Sequence, residues 1–293
     1  MPAEKYFLNW WKEHSDEFDA LLFDVDGTLI AGRHALPGAT ELIKFLRITQ
    51  TPFALLTNDG NNSPEEKSTM MHERGLDIMP EEIVSCGHAL QPLAERKGLK
   101  GERFFIMGEL GTPDFAEIAG IIPERDTKKI SECTGIIVGE GSYDWQKNIS
   151  AVLNFYITTE NRTMIVPNPD SYWPAGRNGE IGVGAGGKAR FVCTLLREYG
   201  IKVNPLYLGK PYTPAFQCAI RRLKEHYPHL GRVRKNRILM LGDSLLSDIR
   251  GAKRAGYRSG LLLTGVTGMQ HLEKVKESCR PDYIFSKISK ETE

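Results

Sequence analysis

Two aspartates separated by one residue, Asp24 and Asp26, follow an apolar stretch near the start of the chain. Residues 21–23 are typical of a buried strand, and side chains two apart on a strand point to the same face. Two carboxylates on one face repel each other, and a bound cation or a shared proton removes that cost and gives the two acids different roles. The pair therefore predicts an acid site at a strand end, although the same spacing also begins calcium loops.

The totals describe an ordinary globular protein. The chain has 293 residues, 41% hydrophobic and 26% charged, a length that favours two domains. A net charge of +1 indicates no nucleic-acid polymer and no anionic membrane as partner. No apolar run reaches the roughly 18 residues of a membrane span, and no signal peptide is visible. Five scattered cysteines indicate reduced thiols, so we expect a cytoplasmic protein.

Strands and helices alternate in the first part of the chain. After the Asp24 strand, Pro37-Gly38 opens a helix, and residues 52–56 form a second apolar strand that ends in Thr57 and Asn58. Ser63-Pro64 then starts another helix. This order predicts a parallel sheet with covering helices, in which ligands bind outside the carboxyl ends of the strands.

The same alternation returns late in the chain. Residues 204–209 predict a short strand ending at Lys210, and residues 238–242 predict another strand ending at Asp243. A helix over 245–255 carries Asp248 in its first turn. Taken singly, Lys210 would be a surface lysine and Asp248 an acid that complements the helix dipole.

A second α/β domain is inserted between these two parts. Residues 85–184 are far too long for a connection, and they contain their own strands and helices. We therefore predict a discontinuous core of residues 1–84 and 185–293, built on a Rossmann-like parallel sheet, with an inserted α/β cap domain of residues 85–184. The glycines over 182–187 are interpreted as a hinge or tight turn back to the core rather than as a phosphate loop. Residues 6–18 predict an amphipathic helix packed on the core, with an exposed docking segment as the alternative.

The polar residues at these strand ends are together suited to bind a cation and a phosphoryl group. Carboxylates suit a hard cation such as Mg²⁺, and a lysine and a hydroxyl suit the charged oxygens of a phosphoryl group. The set consists of Asp24, Asp26, Thr57, Asn58, Lys210, Asp243 and Asp248.

This ordered set resembles the haloacid dehalogenase (HAD) superfamily, and the match covers the whole predicted core. Within the insertion, four short stretches look like the NagD-type subclass IIA phosphatases: residues 138–140, 143–145, 168–170 and 174–177. The resemblance implies an inserted α/β cap domain on a Rossmann-like core. It also implies a possible homodimer formed through the cap.

The resemblance implies a role for each acid. Asp24 would be the nucleophile that forms an aspartyl-phosphate, and Asp26 would protonate the leaving group and then activate water. Mg²⁺ would be held by Asp24, by the main-chain carbonyl of Asp26 and by Asp243. Asp248 would orient Lys210 or the waters of the metal, and a direct metal contact stays open.

The remaining residues would hold the substrate. Thr57 and Lys210 would bind the phosphoryl oxygens, and Asn58 would add a main-chain donor. Asp59 is an additional acid in a loop longer than usual for the family, where it would either alter substrate preference or serve as a turn residue. Tyr172 and Trp173 are expected to pack within the cap, with stacking on an aromatic substrate as the alternative.

The sequence therefore predicts a Mg²⁺-dependent phosphatase. Its substrate would be a small phosphorylated metabolite of nucleotide, sugar, glycerol, glycolate or pyridoxal phosphate type. Two alternatives remain at this point: a phosphotransferase or mutase with the same intermediate, and a non-catalytic binding protein of the same fold.

Overall fold

The computed structural model describes residues 4–174, 180–273 and 275–290. The strands are β1 Glu4–Tyr6, β2 Ala20–Phe23, β3 Ile30–Ala31, β4 His34–Ala35, β5 Phe53–Thr57, β6 Ile83–Ser85, β7 Arg103–Met107, β8 Ile122–Glu124, β9 Gly135–Val138, β10 Thr163–Val166, β11 Tyr172–Pro174, β12 Ile181–Val183, β13 Leu206–Tyr207, β14 Ile238–Gly242, β15 Arg258–Leu262 and β16 Tyr283–Lys287. The α-helices are α1 Phe7–His14, α2 Ala39–Ile48, α3 Pro64–Glu73, α4 Leu90–Lys97, α5 Phe115–Ile118, α6 Trp145–Thr158, α7 Ala185–Glu198, α8 Thr213–His226 and α9 Arg250–Ala255. None of these described helices has the length and apolar character needed to cross a bilayer.

Seven strands form the larger sheet, in the order β1-β16-β15-β14-β2-β5-β6. Every neighbouring pair from β1 to β5 is parallel. The Asp24 strand, β2, lies between β14 and β5, so that Phe23 pairs with Leu241 on one side and with Leu55 on the other. Three strands consequently end side by side at the edge that carries Asp24, as the alternation of strands and helices predicts.

The N-terminal helix is part of the core of this unit. Phe7 and Trp11 of α1 are fully buried, and the Phe7 ring meets the Phe285 ring edge to face at 5.1 Å. Burial of a large apolar side chain stabilises a fold by about 1.5–3 kcal/mol. The prediction of a packed amphipathic helix is therefore confirmed, and the alternative of an exposed docking segment is wrong.

Five strands form a second, smaller sheet, in the order β13-β10-β9-β7-β8. All its pairs are parallel. Helices α6 and α7 contribute their apolar faces to its core, with Val152 and Val192 among the buried side chains. The predicted class, an α/β fold built on parallel sheets with helices, is confirmed.

The boundaries of the two compact units differ from the predicted ones. The first unit comprises the described parts of residues 1–57, 64–84 and 210–293, and the second comprises residues 58–63 and the described parts of 85–209. Residues 185–209 therefore belong with the second unit, not with the core, because α7 packs on the smaller sheet and β13 pairs with β10. The predicted end of the insertion at residue 184 is wrong.

The glycines over 182–187 do not mark a passage between the units. Gly186 and Gly187 lie in the first turn of α7. A Cβ on Gly186 would stand 1.9 Å from the carbonyl oxygen of Pro169, and one on Gly187 would stand 2.3 Å from that of Ser171. These glycines permit close packing of backbone within the second unit, so the interpretation as a hinge is corrected.

Candidate active site

The site in the first unit is built around Asp24, the first residue after β2. Its amide donates to the carbonyl oxygen of Leu241 in β14 at 2.9 Å, which continues the parallel ladder by one step. The half-buried side chain accepts a hydrogen bond from Lys210, with 2.5 Å between Nζ and Oδ1. The strand thus fixes the backbone of Asp24 while the lysine orients its carboxylate.

Lys210 joins two acids. Its side chain is buried, and besides Asp24 it donates to Asp248 Oδ1 at 2.7 Å. Burial by itself would lower the pKa of Lys210, but the charges of Asp24 and Asp248 and their hydrogen bonds raise it above its usual value. The lysine is therefore a permanent cation in this site.

The structure also corrects how Lys210 is positioned. The preceding strand, β13, covers only two residues and pairs with β10 of the smaller sheet. The sequence predicts Lys210 at the end of a strand of the larger sheet. The structure shows that it does not follow a strand of that sheet. Its position among the acids instead depends on the turn that leads into α8.

Asp248 lies in a single turn of π-helix, Leu245–Ile249, ahead of α9. It is fully buried, and its second oxygen accepts from the Ser244 amide at 3.0 Å. Both carboxylate oxygens are therefore engaged, one by the amide and one by Lys210. A Cβ on Gly242 would come within 2.3 Å of this carboxylate, which makes glycine a requirement at the end of β14.

Asp243 is held by a loop that the sequence reasoning did not use. The loop comprises Thr264, Gly265 and Val266, which follow β15, and the Val266 amide donates to Asp243 Oδ2 at 2.6 Å. A Cβ on Gly265 would stand 1.9 Å from the same oxygen. The available signal was the Thr264-Gly265 step after an apolar strand of the same sheet, another polar strand end.

The three acids form a cluster suited to a hard divalent cation. Carboxylate oxygens of Asp24, Asp243 and Asp248 all lie within 4.8 Å of one another. Burial, together with the charges of Asp248 and Asp24, raises the pKa of Asp243, and burial with the charge of Asp24 raises that of Asp248. When ionised, the acids carry more negative charge than one lysine balances.

Free ligand atoms point to the same conclusion. Within the part of the chain that the structure describes, no protein hydrogen bond is made to Asp24 Oδ2 or to Asp243 Oδ1. Oxygen ligands and excess negative charge are what Mg²⁺ requires in proteins. The residues present fit the metal that the resemblance implies.

Asp26 and Thr57 stand at the same edge of the larger sheet. Asp26 is exposed in the turn after β2, where Gly27 adopts a left-handed φ of 78°. Thr57 is the buried last residue of β5, two residues beyond the Leu55 that pairs with Phe23. The first unit therefore contains Asp24, Asp26, Thr57, Lys210, Asp243 and Asp248.

Asn58 and Asp59 belong to the second unit. The Asn58 side-chain amide donates to the Asp170 carboxylate at 3.1 Å to each oxygen. The Asp59 carboxylate accepts from the Asn61 amide at 2.8 Å and from the Asn62 side chain at 3.1 Å, as in an Asx turn. These contacts favour the turn interpretation of Asp59, and its role in substrate preference stays a prediction.

Tyr172 and Trp173 do not pack inside the second unit. They lie on the β11–β12 hairpin with exposed fractions of 64% and 50%, so the prediction of packing within the cap is wrong. The Trp173 ring lies against Gly182 of the opposite strand, where an added Cβ would stand 2.4 Å from the ring. In the stretch over 174–177 that resembles subclass IIA, residues 175–177 lie outside the described residues.

Two family models match the parts of the chain that contain the site residues of the first unit. A family model for haloacid dehalogenase-like hydrolases matches residues 21–122, and a related HAD-hydrolase-like model matches residues 207–290. The two matches include the Asp24 strand end, Thr57, Lys210, Asp243 and Asp248.

The chain is also similar along nearly its whole length to known proteins, two of which are named as phosphatases. A 4-nitrophenylphosphatase of Schizosaccharomyces pombe is 26% identical, with 96% of this chain and 95% of the relative aligned. The structure of NagD from Escherichia coli superposes with a TM-score of 0.75 at 22% identity, over 92% of this chain and 97% of the other. A glycerol phosphate phosphatase of Mycobacterium tuberculosis in complex with magnesium superposes with a TM-score of 0.72 at 24% identity, over 92% and 76% of the two chains.

Proposed function

The chain belongs to the haloacid dehalogenase superfamily, in its NagD-like subclass, and we propose that it is a Mg²⁺-dependent phosphatase of small phosphomonoesters that acts through an aspartyl-phosphate. One observation carries the proposal. A buried lysine bridges a nucleophile candidate, Asp24, to a fully buried acid, Asp248, next to a third acid with a free oxygen, Asp243. This arrangement has the charges that phosphoryl transfer needs, and a structural role would not require them to be buried together.

In the first half of the reaction, an Asp24 carboxylate oxygen attacks the phosphorus of the substrate. The bond between phosphorus and the leaving oxygen breaks, and Asp26 gives its proton to that oxygen. An acid in this position is typically worth about 10²–10⁴-fold in rate. Lys210 and the Thr57 hydroxyl stabilise the phosphoryl oxygens, whose charge repels the attacking carboxylate.

In the second half, Asp26 accepts a proton from water, whose oxygen attacks the same phosphorus. The bond to Asp24 breaks, inorganic phosphate leaves, and Asp26 is again protonated. Because Asp26 can act as a base, the intermediate is expected to turn over rather than persist. This expectation favours a hydrolase over a phosphotransferase or mutase.

The metal would be held by the free oxygens of Asp24 and Asp243 and by the main-chain carbonyl of Asp26. When bound, it would lower the repulsion between two anions, the attacking carboxylate and the phosphoryl group. Asp248 is less available to the metal than Asp243, since each of its oxygens already accepts a hydrogen bond. We assign Asp248 the positioning of Lys210. The structures of the M. tuberculosis phosphatase in complex with magnesium and in complex with calcium support a divalent cation, and the choice of Mg²⁺ rests on the resemblance.

The test is phosphate release by the full chain with Mg²⁺. We expect turnover of 4-nitrophenyl phosphate and of at least one ester in a panel of nucleotide, sugar, glycerol, glycolate and pyridoxal phosphates. Asp24→Asn should abolish release without changing the circular dichroism spectrum or the melting temperature by more than a few degrees. Asp16→Asn, at an exposed acid, is the control and should retain full activity.

Two results would contradict the proposal. Undiminished turnover by Asp24→Asn would show that Asp24 is not the nucleophile. Inactivity of the wild type on the whole panel would favour a binding protein. Adding a competing acceptor alcohol distinguishes the remaining alternative, because faster transfer to the alcohol than to water would indicate a phosphotransferase.

A further inference from the structure

We propose that Thr264 is a positioning residue for the acid/base Asp26, acting through the main-chain carbonyl of Gly27. The inference deepens the proposed function and rests on it, since it requires Asp26 to protonate the leaving group. Its basis is a single hydrogen bond in which the Thr264 hydroxyl donates to the Gly27 oxygen at 2.6 Å.

This bond lies on one side of Asp26, and the strand ladder lies on the other. Before Asp26, the Asp24 amide is tied to Leu241 of β14 at 2.9 Å. After Asp26, the Gly27 carbonyl is tied to the loop that follows β15. The exposed Asp26 side chain thus sits on a short backbone segment that two different strand ends hold at its two sides.

The glycine in this turn allows the loop after β15 to approach closely. Gly27 adopts a φ of 78°, and its amide closes the turn by donating to the Ile30 oxygen at 2.8 Å. A Cβ at Gly27 would meet Asp243 Oδ2 at 2.5 Å and the Gly265 Cα at 3.1 Å. The absence of a side chain lets the Thr264–Val266 loop approach the turn closely enough for the hydroxyl to reach the carbonyl.

The same loop has a separate contact with the metal-site acid. The Val266 amide holds Asp243 through its backbone, whereas Thr264 holds Gly27 through its side chain. Substitution of the Thr264 side chain therefore tests the attachment of the Asp26 turn, and the amide that holds Asp243 is kept.

The experiment compares two leaving groups. 4-Nitrophenolate leaves readily without a proton, whereas the alkoxide of glycerol phosphate requires one, so in the half-reaction that forms the aspartyl-phosphate, which kcat/KM reports, only glycerol phosphate depends on the position of Asp26. For Thr264→Val we expect kcat/KM on glycerol phosphate to fall about 10–100-fold, the range associated with a small misplacement of a catalytic group. On 4-nitrophenyl phosphate, kcat/KM should fall less than about threefold. Thr264→Ser, which keeps the hydroxyl, should restore both values.

The inactive-acid variant provides the reference. Asp26→Asn should show the same selective loss on glycerol phosphate, and adding Thr264→Val to it should cause no further selective loss. The Mg²⁺ concentration for half-maximal activity should be the same in Thr264→Val and wild type. Thr264→Ala serves for the same comparison if the valine variant does not fold.

The outcomes separate this inference from the proposed function. If Asp26→Asn lowers kcat/KM equally on both esters, the acid role of Asp26 fails, and the inference fails with it. If Asp26→Asn is selective but Thr264→Val and Thr264→Ala are not, Thr264 does not position the acid and only this inference is overturned. A higher Mg²⁺ concentration for half-maximal activity in Thr264→Val that accounts for the whole loss would also overturn the inference. The effect would then arise at Asp243.

Discussion

Lys210 connects Asp24 to Asp248, with its Nζ 2.5 Å from one carboxylate and 2.7 Å from the other. Among the described residues, Lys210 is the one cation that forms ion pairs with two acids of the cluster. Its removal would leave both carboxylates in a buried site with their mutual repulsion unbalanced. The first prediction follows from this relationship.

Lys210→Met should lower both stability and activity. Breaking a buried ion pair by removing one partner costs about 3–5 kcal/mol in the free energy of unfolding, because the remaining charge stays buried. Loss of a donor to the phosphoryl group should lower kcat about 10²–10³-fold. Urea unfolding without metal and phosphate release with Mg²⁺ measure the two effects. Lys224→Met, on the exposed face of α8, is the control and should change neither.

Asp243→Asn and Asp248→Asn should differ in their effect on metal binding. Asp243 keeps one oxygen free for a ligand, whereas the oxygens of Asp248 are taken by Lys210 and the Ser244 amide. We expect Asp243→Asn to weaken Mg²⁺ binding about 10–100-fold. Asp248→Asn should leave binding within about threefold and lower kcat, because Lys210 loses its anchor. Calorimetric titration with Mg²⁺ and steady-state kinetics distinguish the two, and equal losses of affinity would contradict the assignment.

Gly265→Ala should disturb Asp243 by direct contact. The added Cβ would stand 1.9 Å from Asp243 Oδ2, so the carboxylate or the loop must move. We expect activity to fall at least about tenfold and the Mg²⁺ concentration for half-maximal activity to rise, because a displaced ligand weakens the metal site. Gly231→Ala is the matched control, since no heavy atom lies within 4 Å of the corresponding Cβ. If both variants keep wild-type kinetics, the close packing at Asp243 has no functional consequence.

Glu140 and Lys188 should be energetically coupled within the second unit. Both side chains are buried, and Glu140 Oε1 accepts from the Asn168 side chain at 2.6 Å and from the Ala185 amide at 3.3 Å. Burial raises the pKa of Glu140 and lowers that of Lys188, and their opposite charges counteract both shifts. Glu140→Gln and Lys188→Met should each destabilise the fold, because each leaves one buried charge uncompensated.

The double variant tests this coupling. Glu140→Gln with Lys188→Met should lose less stability than the sum of the single changes, with a coupling of about 0.5–3 kcal/mol in the free energy of unfolding. Urea unfolding of the four proteins closes the cycle. Strict additivity would show that the charges act independently.

The local pattern of residues was sufficient for the strand ends of the first unit. Apolar runs before Asp24, Thr57 and Asp243 predict buried strands, and alternation with helices predicts that those strands are parallel. Because parallel strands end at one edge, the sequence alone groups the two acids and the threonine in one site. The buried N-terminal helix followed from the spacing of its aromatic residues in the same way.

Only the tertiary structure shows which of the two sheets each of the remaining elements packs against or pairs with. A short apolar stretch such as β13 can pair with either sheet, and an amphipathic helix such as α7 can cover either one, because periodicity records that a face is buried but not against what. The residues over 185–209 therefore joined the second unit, against the expectation. The same reason hid the roles of Thr264 and Val266, whose hydrogen bonds to Gly27 and Asp243 join positions far apart in the chain.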